Sequence, residues 1–342
     1  MRFTRQRMMV ASSLVFVIVA SAISTASADT IYPASGKPIG DVEIIRASWD
    51  RIAYERLGAQ STIEGYKVLR IERDSPLINK VEGRIDSGQY ERALKGLNLA
   101  TKRGFSNDLD KAKAAFVTGK LYLAWSSSDP SKAAKAISAF KSYLKEFESG
   151  KDFYVPHARY ALGKAYLESK NHREAEKQFR ALEKYGSKDG IWGYKATNGA
   201  AWAALLGGTR DASLRARKLF GDVARDNKAP KSARSEARVG RAASFVIVKD
   251  YGNARGEIER EFLKRKPDYD EYYARACNVM GDAYRLEGGQ ENLQQAEIWY
   301  LKTTCLFSKY PDVYREAVGN LVGVYDKLGD SKKAEDWKRR LK

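Results

Sequence analysis

From Ser75 onward, apolar residues recur at helical spacing, and five helix-sized stretches add a stricter beat to that pattern. Each carries a glycine, an aromatic or alanine three residues later, then an alanine and, in most copies, an aromatic four residues beyond it. The clearest copy is Ala161-Leu162-Gly163, Tyr166, Ala175 and Phe179. Gly119, Tyr122, Ala136 and Phe140 repeat it, as do Gly281, Tyr284, Ala296 and Tyr300. Loop signals punctuate the helical windows at Ser106-Asn107-Asp108, Ser128-Asp129-Pro130, Ser187-Lys188-Asp189-Gly190, Ala229-Pro230 and Lys266-Pro267-Asp268. Ser75-Pro76 opens the series with a capping residue and a proline suited to a first helical turn.

Residues 29–74 follow a different rhythm. Asp41–Arg46, Asp50–Glu55 and Gly65–Ile71 are short and rich in β-branched and aromatic residues, with apolar positions partly alternating with charges. Ala47-Ser48 and Leu57-Gly58 fit as turns. Three or four strands of this length make a sheet too small to stand alone, so it is expected to dock on the first helices.

The glycine, tyrosine, alanine and aromatic series of 75–342 resembles the tetratricopeptide repeat, a helix-turn-helix of 34 residues. The resemblance implies a mainly α protein, a right-handed α-solenoid of about seven hairpins, preceded here by the small β-sheet module. That module resembles those of some exported bacterial repeat proteins. In such a hairpin Gly163 lets helices approach closely, Tyr166 fills the hairpin core, Ala175 permits the tight crossing and Phe179 seals the join to the next unit. Other copies are worn. Residues 77–100 keep Gly88, Tyr90 and Ala93, 192–224 keep Gly199, Trp202, Ala216 and Phe220, and 233–262 keep Gly240 and Ala254 without a tyrosine. The last stretch, 317–341, has Leu321, Tyr325, Gly329 and Ala334 and ends in a basic helix.

Composition adds a compartment. Arg2, Arg5 and Arg7, an apolar run from Leu14 to Ala20, and Ala26-Ser27-Ala28 form a tripartite secretory signal, residues 1–28, with cleavage expected after Ala28. The chain is therefore expected to be exported to the periplasm or cell envelope. Removing those residues takes away three arginines and no acid, so the net charge falls only from +18 to +15. Outside the cytoplasm such a balance points away from nucleic acid and toward anionic envelope polymers, anionic membrane surfaces or acidic protein segments. Cys277 and Cys305, early in one helix and late in its antiparallel partner, could pair in an oxidising compartment.

Catalytic signatures are missing. The sequence contains no Gly-x-Ser-x-Gly elbow and no phosphate loop, and His157 and His172 lack partners at metal-ligand spacing. The reading is of a non-enzyme without a cofactor. The resemblance further implies a concave groove lined by residues six and three before each glycine, one after it, and four to five after it. Those offsets give Lys113, Phe116, Lys120 and Leu123, then His157, Tyr160, Lys164 and Leu167. They continue with Gly193, Ala196, Ala200 and Ala203, a patch without charge, then Arg234, Ala237, Arg241 and Ser244, and finally Arg275, Asn278, Asp282 and Arg285. The expected groove is basic at its ends, suited to an extended or acidic protein segment held in the cell envelope. The alternative partner is an acidic polymer or anionic membrane surface.

Overall fold

The computed structural model describes residues 29–186, 190–264 and 270–341. The leader with its cleavage point, and the loop signals at Ser187-Lys188-Asp189 and Lys266-Pro267-Asp268, lie outside the described residues. The chain begins with five antiparallel strands, β1 (Asp29–Pro33), β2 (Ile39–Ala47), β3 (Ile52–Arg56), β4 (Ala59–Ile63) and β5 (Val68–Glu72), in the order β4-β3-β2-β1-β5. The three segments expected from alternation correspond to β2, β3 and β5. Strand β4 escapes that expectation because Ala59 to Thr62 are all exposed, so no apolar alternation announces it.

Among the described residues fourteen α-helices follow, paired as seven hairpins. They are α1 (Pro76–Asp86) with α2 (Tyr90–Arg103), α3 (Asp108–Ser126) with α4 (Lys132–Phe147), and α5 (Val155–Glu168) with α6 (His172–Arg180). Next come α7 (Ile191–Leu206) with α8 (Arg210–Arg225) and α9 (Lys231–Ile247) with α10 (Tyr251–Ile258). The last two pairs are α11 (Glu271–Glu287) with α12 (Gln290–Leu306) and α13 (Pro311–Leu328) with α14 (Ser331–Lys338). Local capping sets several starts. Asn107, Asn171, Thr209, Asp250, Asp270 and Asp330 each accept a backbone N–H of the first turn. Ser75 stands at the start of α1 but its hydroxyl instead donates to Asp110 on α3, at 2.6 Å.

The hairpins are held at the positions where the repeat lacks a side chain. A Cβ on Gly163 would lie 2.6 Å from the ring of Phe179, and one on Gly281 would lie 2.6 Å from Tyr300. Phe140 fills the same place against Gly119. Phe179 also presses on Gly199 of the next hairpin, so one ring seals the join between two units. The alanines of the pattern, Ala136, Ala175, Ala216, Ala254 and Ala296, are fully buried at the crossings.

The sheet does not dock on the first hairpin. Its inner face (Ile31, Val42, Ile44, Ile52, Val68, Ile71) shares one core with Phe116 on α3, Phe140 on α4 and Phe153 and Tyr154 ahead of α5. Each such side chain, fully buried, contributes about 1.5–3 kcal/mol. Trp49 meets Tyr185 edge-on at 5.1 Å, and Lys151 pairs with Asp50 at 2.9 Å. At the other border Arg73 pairs with Asp29 at 3.3 Å and Asp110 at 3.2 Å, while Asp29 also accepts the backbone N–H of Ile44 and of Asp74. The module therefore rests on the second to fourth hairpins.

Cys277 is buried within α11 and Cys305 is exposed on α12, and both are free thiols. The possible pairing is not formed: one thiol lies in the core and the other on the surface. Burial pushes the Cys277 thiol up to about 12.

Gly163→Ala is expected to lower stability by about 1–3 kcal/mol through overpacking against Phe179. Gly83→Ala, on an exposed helical position with nothing near its added methyl, should be neutral or stabilising by up to about 1 kcal/mol. Urea midpoints of the two variants against the parent protein measure the difference.

Candidate functional site

The first helices of the hairpins line the inner face of the solenoid, and their contacts fix the true register. Asn198 on α7 donates to the carbonyl of Ala233 (2.9 Å) and to Glu236 (3.2 Å) on α9. Asn278 on α11 does the same to Val313 (3.0 Å) and Glu316 (3.1 Å) on α13, at identical sequence offsets. The two asparagines are thus equivalent, and Ala201 occupies the crossing position that Gly281 holds, with Phe220 in the role of Tyr300. Gly199 instead packs against Phe179 of the preceding hairpin, and Gly240 likewise against Phe220. The glycine register is therefore shifted in the fourth and fifth hairpins.

This shift corrects the expected lining. Ala196, Ala200 and Ala203 belong to the core shared with the preceding hairpin, and Gly193 is also buried. Arg234 donates to the carbonyls of Asn227 (3.1 Å) and Ala229 (2.5 Å), closing the turn before α9. Arg241 pairs with the buried Glu257 of α10, inside its own hairpin, while Ala237 and Ser244 are fully buried. The side chains that keep access to the channel from these two hairpins are Lys195 and Glu236, while Asn198 is buried against α9. A polar residue three or six positions before an alanine that could replace the glycine was the available signal.

The second hairpin also departs from expectation. Lys113 is 3% exposed, with its ammonium on Asn79 (2.8 Å) and Glu82 (3.1 Å) of α1. Lys120 meets the other oxygen of Glu82 at 3.0 Å. Burial favours the neutral acid, yet Lys120 and Lys113 together hold the Glu82 carboxyl below its usual range. Phe116 is buried and stacked on Tyr154 at 4.8 Å, and so belongs to the core under the sheet. His157 is covered by the same module. With its proton on Nε2 the ring donates to the carbonyl of Leu69 on β5 at 3.1 Å, and Trp192 meets it edge-on at 4.7 Å. Burial is the main cause that lowers its pKa to about 4.

What remains partly exposed is the inner face of α5, α7, α9, α11 and α13, a channel across which side chains of different helices interact. Tyr160 on α5 lies within electrostatic reach of Glu236 on α9 and of Glu271, Tyr272 and Arg275 on α11. The Lys195 ammonium sits 4.3 Å from the centre of the Tyr160 ring and 5.6 Å from that of Trp192. Burial lowers the Lys195 pKa against the pull of Glu236, and burial raises that of Glu236 against the pull of Lys195. Both side chains keep intermediate exposure. Strong desolvation with residual access to water describes groups deep in a slot. Arg275 is tied to Glu271 at 2.8 Å, Arg285 to Tyr300 and Asp282 at 3.1 Å each, and Lys164 is exposed with no ion pair among the described residues. Asn198 and Asn278 each leave a buried Oδ1 without a donor.

Of the expected residues, Tyr160, Lys164 and Arg275 lie on this face, Asn278 is buried against α13, and Arg285 is held by Tyr300 and Asp282. The channel's charges alternate, Lys195 with Glu236 and Arg275 with Glu316, so the inner face is compensated and not basic. Among the described residues no group of three His, Cys, Asp or Glu could hold a metal ion. An open cavity of about 420 Å³ lies elsewhere, between the sheet and the turn before α5. There Ser48 and Lys151 already satisfy Asp50, at 2.8 and 2.9 Å.

No family model and no curated protein matches the chain. Solved structures do. A tetratricopeptide repeat protein from Parabacteroides merdae aligns at 18% identity over 70% of this chain and 82% of its own, with a TM-score of 0.50. A Rap protein complexed with competence and sporulation factor aligns at 14% identity over 78% and 74%, with a TM-score of 0.45. NprR in complex with its cognate peptide NprX aligns at 16% identity over 78% and 76%, with a TM-score of 0.43. The first of these likenesses, together with the seven hairpins, identifies the fold as a tetratricopeptide-like α-solenoid.

Stability should fall as acid charges the unfolded chain's His157 while the folded ring stays neutral. The depressed folded pKa means that this contribution is whole above pH 6.5 and shrinks until the pH passes about 4, a loss of up to about 3 kcal/mol. His157→Gln should flatten that part of the pH profile, measured as urea midpoints at pH 7, 5.5 and 4.5.

Proposed function

We propose that this protein is a non-catalytic scaffold of the cell envelope that holds an extended segment of another protein in the channel between α5 and α13. The observation that carries the reading is the channel's lining. Tyr160, Lys195, Glu236, Tyr272 and Arg275 converge there from four helices, desolvated yet partly open to water. Polar groups held in this state gain more from a ligand that replaces their residual water than fully solvated ones do. Because lysine or arginine alternates with glutamate, the ligand is a segment of mixed polarity.

A second reading rests on a separate feature. Lys95, Lys102 and Arg103 on α2 and Lys141 and Lys145 on α4 are exposed on the outer helices and have no ion-pair partner among the described residues. They could serve an acidic polymer or an anionic membrane surface.

A photo-crosslinking side chain at Lys164, inside the channel, is expected to give a discrete protein adduct in the native envelope. The same group at Lys141 on the outer face should not. The Lys164 adduct should survive physiological salt and disappear in Tyr272→Ala. Adducts only from Lys141, lost steeply as salt rises, would sink the channel reading and favour the polyanion.

A further inference from the structure

The four hairpins from α7 to α14 are two copies of one larger unit. Residues at a constant separation of 80 do the same work in both copies. Ala216 and Ala296 lie buried at the crossings, as do Ala254 and Ala334, and Phe220 and Tyr300 are the packing rings. Asp250 and Asp330 cap the last helix of each copy. Packing and capping account for all these matches. They do not account for two polar ones at the same separation, Asn198 with Asn278 and Glu236 with Glu316. The intervening first helices, α9 and α13, pack with Val239 and Gly319 at the place of the asparagine, so the hairpin itself does not require an amide there.

The asparagines serve the glutamates. Each gives one amide hydrogen to a backbone carbonyl of the next first helix, at 2.9 Å for Ala233 and 3.0 Å for Val313. The other goes to a carboxylate Oε2, at 3.2 Å for Glu236 and 3.1 Å for Glu316. Both asparagines are buried, so each carboxylate is anchored through one oxygen and presents the other in a set direction. Glu236 is half-buried and Glu316 exposed, and neither makes an ion pair among the described residues. The cations within electrostatic reach of Glu236 are placed otherwise. Lys195 lies over the Tyr160 ring at 4.3 Å, Arg275 is bonded to Glu271 at 2.8 and 3.0 Å, and Lys164 stays exposed. Glu316 has Arg275 to one side and the acids Asp282 and Glu168 to the other. An oriented carboxylate without a cation in contact is a strong acceptor for a charged N–H donor.

We propose that Glu236 and Glu316 are two equivalent subsites of the channel, each taking one lysine or arginine side chain of an extended segment. The proposal rests on the channel reading above and adds the charge and spacing of the bound segment. Packed helices lie about 8–10 Å apart, so alternate first helices stand roughly 16–20 Å apart, and less on a concave side. An extended chain rises about 3.3 Å per residue, and every second side chain faces the same wall. Two basic residues four or six positions apart therefore meet both carboxylates. Arg275 stands between the subsites and suits a neutral or acidic residue midway, in keeping with a segment of mixed polarity.

Fluorescence anisotropy of labelled peptides on the purified protein tests the subsites. The peptides are built of serine, glycine and threonine and carry two arginines from two to eight positions apart. At physiological salt, those with arginines four or six apart are expected to bind at least tenfold more tightly than a peptide with one arginine. Glu236→Gln and Glu316→Gln keep the asparagine bond and the side-chain volume. Each should bring the paired peptide down to the one-arginine level, by similar factors. Glu316 is exposed, so its variant gives a reading even where Glu236→Gln folds poorly, and urea midpoints check both. Affinity that follows the number of arginines whatever their spacing, affinity unchanged in both variants, or no binding by any peptide overturns the subsites. The Lys164 crosslink separates this failure from that of the channel. An adduct that forms in the parent and persists undiminished in both Gln variants contradicts the subsites alone, whereas no adduct in the parent counts against the channel reading itself.

Discussion

The structure depends on one steric match. An aromatic ring from the second helix of a hairpin lies where the first helix has little or no side chain. Phe140 sits on Gly119, Phe179 on Gly163 and Tyr300 on Gly281, while Phe220 meets the alanine Ala201 within one core. A flat, stiff ring against bare backbone fixes helix separation more tightly than flexible aliphatic contacts would. Because Phe179 and Phe220 also press on Gly199 and Gly240 of the following hairpins, the same rings set the step from one unit to the next. Small errors in that step would accumulate along seven hairpins, so the curvature that forms the channel is decided at these contacts.

Given that curvature, the channel's chemistry follows from which side chains precede each crossing. Lys195, Glu236, Arg275 and Glu316 stand at the same position of successive hairpins and alternate in sign. Neighbouring charges therefore compensate one another in a slot where isolated charges would be costly to desolvate. The positive excess of the chain is displaced outward, to Lys95, Lys102, Lys141 and Lys145 on the outer helices. The sheet closes the other end. Through His157, Phe116 and Tyr154 it covers the inner face of the second and third hairpins, leaving the later hairpins as the open part.

Much of this was legible in the sequence, and the failures share a cause. The helical beat, the seven hairpins and the role of Gly163 could be read because sterics leave a residue-type signature. Where alanine replaced glycine, at Ala201, the nearest glycine two residues earlier drew the register to itself, and Gly193, Arg234 and Arg241 were placed in the groove in error. Offsets also cannot see a neighbour on another element. Lys113 answers Glu82 and Phe116 answers Tyr154, partners 31 and 38 residues away, so both are structural. Strand β4 carries no alternation, and nearness of helix ends says nothing of burial, which separates Cys277 from Cys305. Tyr160, Lys164 and Arg275 come from hairpins that keep the glycine, so their offsets are not displaced.

The central claim is that Glu236 and Lys195 share a desolvated channel, not a solvated outer face. The most direct measurement is the carboxyl titration of Glu236 by carbon NMR in the parent protein and in Lys195→Met. A titration above the usual glutamate range, moved further up when Lys195 loses its charge, is the predicted result. An ordinary glutamate titration, unmoved by Lys195→Met, would place Glu236 in open solvent and contradict the register, the channel and the function built on them.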